Sequence, residues 1–213
     1  MDPKPIILVG GGGHCRSVIE AAESVRIPIA GVIDLPSEAN STVLGYPVIG
    51  CDDDIPRFVE KYSFIVTLGF IDKAERRVAL HGLIEAAGGE LATVVASTAR
   101  VSRHAAIAPG TVVMHGAVVN AGARIGRSVI INTLAAVEHD AIVGDFTHVS
   151  TGAMVNGQCS VGSRCFIGSN VTLFNGVSVA DDIIVSGGSV VRKSLRLPGV
   201  YAGSPAVLKI PRR

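Results

Sequence analysis

The sequence lacks three features that would each point directly to a function: paired cysteines, a surplus of one charge and a long apolar run. Its four cysteines form no C-x-x-C pair, which argues against a zinc knot or a disulfide framework, so we expect free thiols. The formal net charge is +1, which gives none of the basic surface that nucleic acid or an anionic membrane requires. No apolar stretch approaches the roughly 18 residues needed to cross a bilayer, and no secretory leader opens the chain, so we expect a cytoplasmic protein.

Valine, isoleucine, alanine and glycine are abundant instead, and the mean hydropathy is positive. This composition favours many short strands with small residues at tight corners. Near residue 96 of 213, the sequence changes from alternating strand and helix patterns to a short regular repeat. Because a chain of this length can form one large core or two small ones, we predict two unequal domains, residues 1–96 and residues 97–213.

The sequence pattern of the N-terminal unit predicts alternating strands and helices. A buried strand at Ile6–Val9 is followed by a glycine turn, a helix at about Cys15–Ser24 and a second strand at Ile29–Ile33. A third strand at Phe64–Gly69 precedes a helix-like segment, DKAERRVALHGLIEAAG. The β-α-β order implies a parallel sheet, and we predict a Rossmann-like α/β domain.

The glycine-rich loop after the first strand is a candidate anion site, because glycines admit a phosphate and exposed amides at a helix start favour it. The dinucleotide fingerprint G-x-G-x-x-G is only partly met, since Cys15 stands at its third glycine position, and a nicotinamide cofactor is disfavoured. A tight turn without a ligand is the alternative. The candidate contacts at the carboxyl edge of the sheet are Gly12, Gly13, His14, Asp34 and Gly69.

From residue 101 onward, an aliphatic residue recurs every six positions. No insertion breaks the register across fifteen complete repeats, so chance does not explain the pattern. This is the signature of a hexapeptide β-helix, in which three repeats complete one coil. The repeating residues are Val101, Ile107, Val113, Val119, Ile125, Ile131, Val137, Val143, Val149, Val155, Val161, Ile167, Leu173, Val179, Val185 and Val191.

The repeat predicts five coils over residues 101–190, with the aliphatic residue inside and a small residue in each inner corner. Cys159 and Cys165 occupy small-residue positions, so we interpret them as packing residues and not as nucleophiles. After Val191 the segment LPGVYAGSPAVLKIPRR predicts an extended cover for the prism end. Because flat apolar walls need partners and a closed ring of three suits a three-sided prism, we predict a homotrimer.

Two of the six histidines, His139 and His148, lie in the segment VEHDAIVGDFTHVS. The repeat places them half a coil apart on different faces, so they cannot chelate one ion within a chain. Zinc-ligand spacing is also absent around them. We therefore expect no metal site.

His139 is the candidate general base. Its neighbours one coil away are Ala121 and Gly157, which leave room for a slender thioester arm, and the Gly157 N–H is a candidate donor to its oxyanion. Imidazole titrates near neutral pH and can accept a proton from an attacking amine or hydroxyl, while Asp140 is placed to hold the other ring N–H. The alternative is that His139, Asp140 and His148 are ordinary polar residues of a solenoid.

Both halves of the chain resemble the bacterial sugar O/N-acyltransferase family, which includes sialic acid O-acetyltransferases and nucleotide-amino-sugar N-acetyltransferases of bacillosamine and perosamine type. The resemblance covers essentially the whole chain and rests on VGGGGHCRSVIE, INTLAAVEHDAIVGDFTHVSTGA and YAGSPA. It implies a nucleotide-sugar-binding Rossmann-like domain and a left-handed parallel β-helix that assembles as a trimer. It also implies that acetyl-CoA lies in the groove between neighbouring prisms.

The resemblance implies roles for particular residues as well. His139 matches the base of the family's EHD/EHE motif, and Asp140 matches the acid that raises its basicity. Asn132 matches a residue near the sugar. Acetyl-CoA contacts are implied for His148, Ser169 and Gly187, and nucleotide contacts for Gly12, Gly13, His14, Asp34 and Gly69.

We predict an acetyl-CoA-dependent N-acetyltransferase that acts on the amine, at C4, of a nucleotide-diphospho-amino-sugar by direct transfer. Two alternatives stay open. One is O-acetylation of a sialic acid or another sugar hydroxyl, because the same base serves a hydroxyl. The other, ranked last, is a non-catalytic trimer that senses a nucleotide through its glycine-rich loop.

Overall fold

The computed structural model describes residues 4–39 and 41–211. The N-terminal unit is a six-stranded sheet in the order β3-β4-β2-β1-β5-β6. Its strands are β1 (Ile6–Val9), β2 (Ile29–Ile33), β3 (Thr42–Val43), β4 (Tyr46–Gly50), β5 (Ser63–Val66) and β6 (Glu90–Leu91). Its helices are α1 (Gly13–Ser24) and α2 (Glu75–Ala86), with short 3-10 helices at Pro36–Glu38 and Asp52–Arg57.

Strand β1 is buried on both sides, and its side chains alternate between two cores. Ile6 and Leu8 pack with α1, whereas Ile7 and Val9 pack with α2. A continuous aliphatic run is what a parallel sheet covered by helices on both faces requires. Strand β1 pairs in parallel with β2 and β5, which confirms the predicted parallel sheet.

Two elements have bounds that differ from those predicted from the sequence. Helix α1 begins at Gly13 and not near Cys15, because Gly12 already has the extended backbone of an N-cap. Strand β5 ends at Val66 and not at Gly69, because the chain beyond it turns toward the glycine-rich loop, where the Thr67 hydroxyl donates to backbone carbonyls. The first change shortens the loop after β1, and the second lengthens the loop after β5.

The C-terminal unit is a left-handed parallel β-helix with three faces, each a parallel sheet. The first face contains β7 (Val94–Val95), β10 (Val112–Val113), β13 (Ile130–Ile131), β16 (His148–Val149), β19 (Phe166–Ile167) and β22 (Ile183–Val185). The second contains β8 (Arg100–Val101), β11 (Val118–Val119), β14 (Ala136–Val137), β17 (Met154–Val155), β20 (Thr172–Leu173) and β23 (Val190–Val191). The third contains β9 (Ala106–Ile107), β12 (Arg124–Ile125), β15 (Ile142–Val143), β18 (Ser160–Val161) and β21 (Ser178–Val179).

Every strand of the prism pairs with the strand one coil away at a spacing of 18 residues, for example Val113 with Ile131. The repeating aliphatics form one buried core, and this confirms the predicted β-helix. Its first strand is β7, so the predicted division after residue 96 falls inside the first coil. Cys159 and Cys165 lie in the core, and burial raises the pKa of the Cys165 thiol to about 12.

The corners of the prism follow the same period. One residue in every six has a left-handed backbone, which is uncommon outside glycine. The series runs Gly110, Gly116, Gly122, Ser128, Leu134, Asp140, Phe146, Gly152, Gln158, Arg164, Asn170, Gly176, Asp182 and Gly188. Asp140, with a φ of 58°, is therefore a turn residue of the corner between the second and third faces.

The two ends of the prism are joined to other elements. At the C-terminal end β24 (Gly199–Ala202) extends the first face, β25 (Val207–Pro211) pairs with it, and Tyr201 enters the core, which confirms the predicted cover. On the first face, helix α1 packs against Val112, Met114 and Ile130, so the two units share a core. Within the described ranges, no helix has the length and apolar character to span a bilayer.

Candidate active site

His139 lies at the exposed corner between the second and third faces, next to the left-handed Asp140. Its Nδ1 is 3.0 Å from Oδ2 of Asp140, and the two side chains are 54% and 62% exposed. Because a carboxylate only accepts hydrogen bonds, Nδ1 carries a proton, and in the neutral tautomer the lone pair therefore lies on Nε2. The corner thus presents a proton acceptor whose ring orientation is fixed by a carboxylate.

Gly157, one coil further, supports the imidazole ring. A Cβ built at this position would lie 2.6 Å from Nε2 and 2.7 Å from Cε1 of His139, so any side chain here would displace the ring. The Gly157 N–H donates to no group in the part of the chain that the structure describes. A lone pair and a free backbone donor therefore lie at one corner, as base and oxyanion stabilisation require.

His148 has the opposite environment. It points outward from the first face but is covered by the N-terminal unit and is only 7% exposed. Its Nδ1 donates to the Phe70 carbonyl at 3.0 Å, and its Nε2 accepts from the Asn132 side-chain amide at 3.1 Å. Burial lowers the pKa of His148 to about 4, so the ring is neutral near pH 7.

The predicted nucleotide contacts converge at the carboxyl edge of β1, β2 and β5. Gly12 and Gly13 are exposed at the start of α1, and a Cβ at Gly69 would lie 3.7 Å from that of His14. Oδ2 of Asp34 accepts the Gly11 N–H at 3.1 Å, so this carboxylate also holds the loop in place. The sequence prediction missed that second role.

His14 links this edge to the first face of the prism. Its ring centroid lies 6.3 Å from that of His148, and burial lowers its pKa to about 3. Its Nε2 is buried and has no hydrogen-bond partner among residues 4–39 and 41–211. Because a buried polar atom is normally satisfied, the unpaired nitrogen marks His14 as a candidate ligand contact.

Ser169 and Gly187 lie one coil apart at the corner between the first and second faces. A Cβ at Gly187 would lie 3.1 Å from the Ser169 carbonyl oxygen, and the Ser169 hydroxyl shares a hydrogen bond of 3.1 Å with Ser150. A whole face of the prism separates this corner from the corner of His139 and Gly157. The structure therefore does not bring the predicted coenzyme contacts together within one chain.

Arg77 is a contact that the sequence prediction missed. It is buried in α2, where its guanidinium donates to the carbonyls of Val66, Leu68 and Ser128, and it so ties the loop after β5 to the prism. Burial lowers its pKa to about 9. A usable signal existed, because Arg77, Leu80, His81 and Ile84 have the i, i+3, i+4, i+7 spacing of a buried helix face.

Among the described residues, no group of three or more His, Cys, Asp and Glu side chains is placed to hold a metal ion. The chemistry available at the corner is proton transfer and hydrogen bonding. The three-faced prism with its six-residue repeat is the fold of the hexapeptide-repeat acyltransferases.

Comparison with known proteins gives the family. Residues 5–83 match the PglD N-terminal domain. A structure of PerB, a perosamine N-acetyltransferase from Caulobacter crescentus, in complex with CoA and GDP-perosamine has 32% identity and a TM-score of 0.88 over 96% of this chain and 97% of that one. The chain belongs to the bacterial sugar O/N-acyltransferase family.

Two further structures agree. The acetyltransferase domain of PglB from Neisseria gonorrhoeae, in complex with acetyl coenzyme A, has 28% identity and a TM-score of 0.90, over 97% of this chain and all of that one (100%). WeeI from Acinetobacter baumannii has 20% identity, a TM-score of 0.84 and coverage of 96% and 99%, which supports the fold alone.

Proposed function

We propose that this enzyme transfers the acetyl group of acetyl-CoA to the amine, at C4, of a nucleotide-diphospho-amino-sugar. The observation that carries the proposal is the exposed imidazole of His139, oriented by Asp140 and lying against Gly157. The relative from Caulobacter crescentus, 32% identical, was crystallised with GDP-perosamine and CoA. We assign nucleotide-sugar binding to residues 1–96 and acetyl transfer to residues 97–213.

The proposed reaction needs no acyl-enzyme. The neutral amine attacks the thioester carbon, a C–N bond forms, and the C–S bond breaks. Nε2 of His139 accepts the proton that the amine loses and can return it to the departing CoA thiolate. Asp140 stabilises the transient imidazolium through Nδ1, and the Gly157 N–H donates to the developing oxyanion.

The carboxyl edge of the N-terminal sheet is the proposed nucleotide site. The exposed backbone of Gly12 and Gly13 at the start of α1 suits a diphosphate, because helix N-termini favour anions. His14 offers an unpaired nitrogen, and Asp34 keeps Oδ1 available for a donor such as a ribose hydroxyl. Gly69 keeps the adjacent loop free of a side chain.

Asn132 and His148 are proposed to contact the sugar and acetyl-CoA, respectively, beside the shared core of the two units. The two ring nitrogens of His148 are hydrogen-bonded to Phe70 and Asn132. A contact from His148 to the coenzyme therefore requires the Asn132 amide to change partner.

A homotrimer is proposed because the coenzyme contacts occupy two different corners of one chain. His139 and Gly157 lie at one corner, and Ser169 and Gly187 lie at another, across the second face. In a closed ring of three, one corner of each copy can meet the other corner of its neighbour. Apolar side chains exposed on the free faces, such as Ile142 and Met154, also favour a partner.

Thiol release from acetyl-CoA tests the function directly. The panel of acceptors comprises UDP- and GDP-linked 4-amino sugars, free amino sugars and sialic acids. We expect turnover only with a nucleotide-linked amine. Turnover with a sialic acid or another sugar hydroxyl, and none with any amine, would overturn the proposal.

A further inference from the structure

The corner that carries His139 changes in charge along the prism axis. Successive coils place at this corner Glu138, His139 and Asp140, then Asn156 and Gly157, then Phe174 and Asn175, and finally Arg192 and Lys193. The corner therefore passes from acidic at the histidine, through two neutral coils, to basic at the C-terminal end of the prism. This change in charge is visible only when residues 18 positions apart are aligned in the register of the coils.

This order of charges matches the order of groups in the reaction that we propose. The amino group of the substrate is an ammonium in solution, which favours the acidic coil around His139, and it releases this proton to solvent before the neutral amine attacks. The pantetheine arm of acetyl-CoA is uncharged and carries two amides, which suits the neutral coils, where Asn156 and Asn175 offer amide side chains. The adenosine end carries a diphosphate and a 3′-phosphate, which require the basic coil.

The spacing matches as well. Arg192 and Lys193 lie three coils beyond His139, which is roughly 14 Å at the ~4.8 Å strand spacing of a parallel sheet. An extended pantetheine arm also spans on the order of 15 Å from sulfur to diphosphate, by the dimensions of an extended chain with two amide bonds. A thioester at His139 therefore brings the phosphates to the basic coil.

The two basic side chains are exposed and free of acidic partners. The Arg192 guanidinium stacks at 5.3 Å over the ring of Phe174, which restricts its position, and neither Arg192 nor Lys193 forms an ion pair within the described ranges. Both residues line a cleft of about 420 Å³ whose other wall is Pro205, Ala206 and Val207 of the terminal cover. The cleft thus combines two unpaired cations with an apolar wall.

We propose that Arg192 and Lys193 form the phosphate subsite for the adenosine end of acetyl-CoA, an inference that rests on the proposed acetyl transfer. The two cations supply charge-assisted hydrogen bonds to phosphate oxygens. The cover segment around Pro205 closes the other side of the cleft.

The test compares three acetyl donors on the full-length protein: acetyl-CoA, acetyl-3′-dephospho-CoA and S-acetylpantetheine. With acetyl-CoA, we expect Arg192→Ala and Lys193→Ala each to lower kcat/KM about tenfold, as expected for loss of a charge-assisted bond. With S-acetylpantetheine, which has no phosphate, both variants should equal the wild type. Arg103 is an exposed cation that lies two coils from His139 in the direction away from Arg192. Arg103→Ala is therefore the control, and it should leave the ratio of kcat/KM between the donors unchanged.

Acetyl-3′-dephospho-CoA shows which phosphate group of the coenzyme Arg192 and Lys193 bind. Loss of the variant effect with this donor assigns the subsite to the 3′-phosphate, whereas a retained effect assigns it to the diphosphate. Equal losses with acetyl-CoA and S-acetylpantetheine, or no loss with acetyl-CoA, would overturn the subsite.

If the proposed function itself is wrong, the wild-type protein will transfer acetyl from none of the three donors, and this result is distinct from the loss of the subsite alone. In that case calorimetric titration with CoA and with pantetheine still tests the subsite without turnover. Weaker CoA binding by Lys193→Ala with unchanged pantetheine binding supports it, and unchanged CoA binding rejects it.

Discussion

His139 and His148 are nine residues apart in the chain, yet the prism gives them opposite environments. His139 projects from a corner, more than half exposed, with a carboxylate on one ring nitrogen and a lone pair on the other. His148 projects from the middle of a face, and the N-terminal unit buries it against Phe70 and Asn132. The position of a histidine within the six-residue repeat, and not the residue type, therefore decides its environment. At a corner the imidazole is open to solvent and to a substrate, whereas on the covered face it is a fixed hydrogen-bonding group.

Gly157→Ala tests the exposed side of this comparison, and we expect it to lower turnover as much as removal of the His139 imidazole itself. The added methyl group would lie 2.6 Å from Nε2 of His139 and must displace the ring. We expect kcat/KM to fall about 10²- to 10⁴-fold, the usual contribution of a general base, with little change in unfolding free energy. Gly82→Ala, at an exposed helix position with no atom within 4 Å of the new Cβ, is the matched control and should keep full activity.

The buried side is tested by the pH dependence of stability. The folded chain keeps His148 neutral down to about pH 4, whereas the unfolded chain protonates it near the ordinary pKa of 6.5. The unfolded chain therefore binds more protons in this window, and the unfolding free energy falls as the pH is lowered from 6.5 to 4. His14 and His81, with pKa values lowered by burial to about 3 and about 4, act in the same direction.

His148→Gln should make that pH slope shallower by up to about 1.4 kcal/mol per pH unit, measured by chemical denaturation. At pH 7 it should also lower stability by about 1–3 kcal/mol, because a buried hydrogen-bond partner is lost. His139→Gln, at the exposed corner, should change stability by less than about 0.5 kcal/mol at that pH. Equal effects of the two substitutions at pH 7 would remove the distinction between the sites.

Asp140→Asn separates the ring from the carboxylate that orients it. An amide cannot stabilise the imidazolium as a carboxylate does, and its NH₂ group can turn toward Nδ1 and select the other tautomer. We expect kcat to fall about tenfold while KM for acetyl-CoA stays constant, since Asp140 acts through His139. An unchanged kcat would show that the pair in the structure has no part in proton transfer.

Cys165→Ala should have the smallest effect on turnover. Burial raises the pKa of the Cys165 thiol to about 12, and Sγ already contacts the Ala180 carbonyl at 3.1 Å inside the core. A buried thiol of this kind is not a nucleophile, so thiol release from acetyl-CoA should proceed at the wild-type rate. A large loss of turnover in a stably folded variant would instead point to an acyl-enzyme.

The prism was predictable because its signal is repeated. An aliphatic residue every six positions fixes the face, the corner and the inner position of each residue, and pairing at 18 residues then places His139 next to Gly157. The parallel sheet of the N-terminal unit followed in the same way from buried runs such as Ile6–Val9. Fold and family were therefore confirmed, including the left-handed β-helix.

The contacts between the units were not predictable, because no periodic pattern specifies them. The hydrogen bond from His148 to Phe70 joins residues 78 positions apart, and that from Arg77 to Ser128 joins residues 51 apart. Both depend on how the sheet docks on the first face. The resemblance suggested His148 as a coenzyme contact, whereas only the structure shows its bonds to Phe70 and Asn132.

The most direct measurement is acetyl transfer by His139→Ala, with acetyl-CoA binding followed in the same preparation. Loss of the corner imidazole should lower turnover about 10²- to 10⁴-fold, while the Kd for acetyl-CoA changes by less than about threefold, because the base acts on the amine proton. Near-normal turnover by this variant would contradict the assignment of His139 as the base, and with it the central claim about the corner.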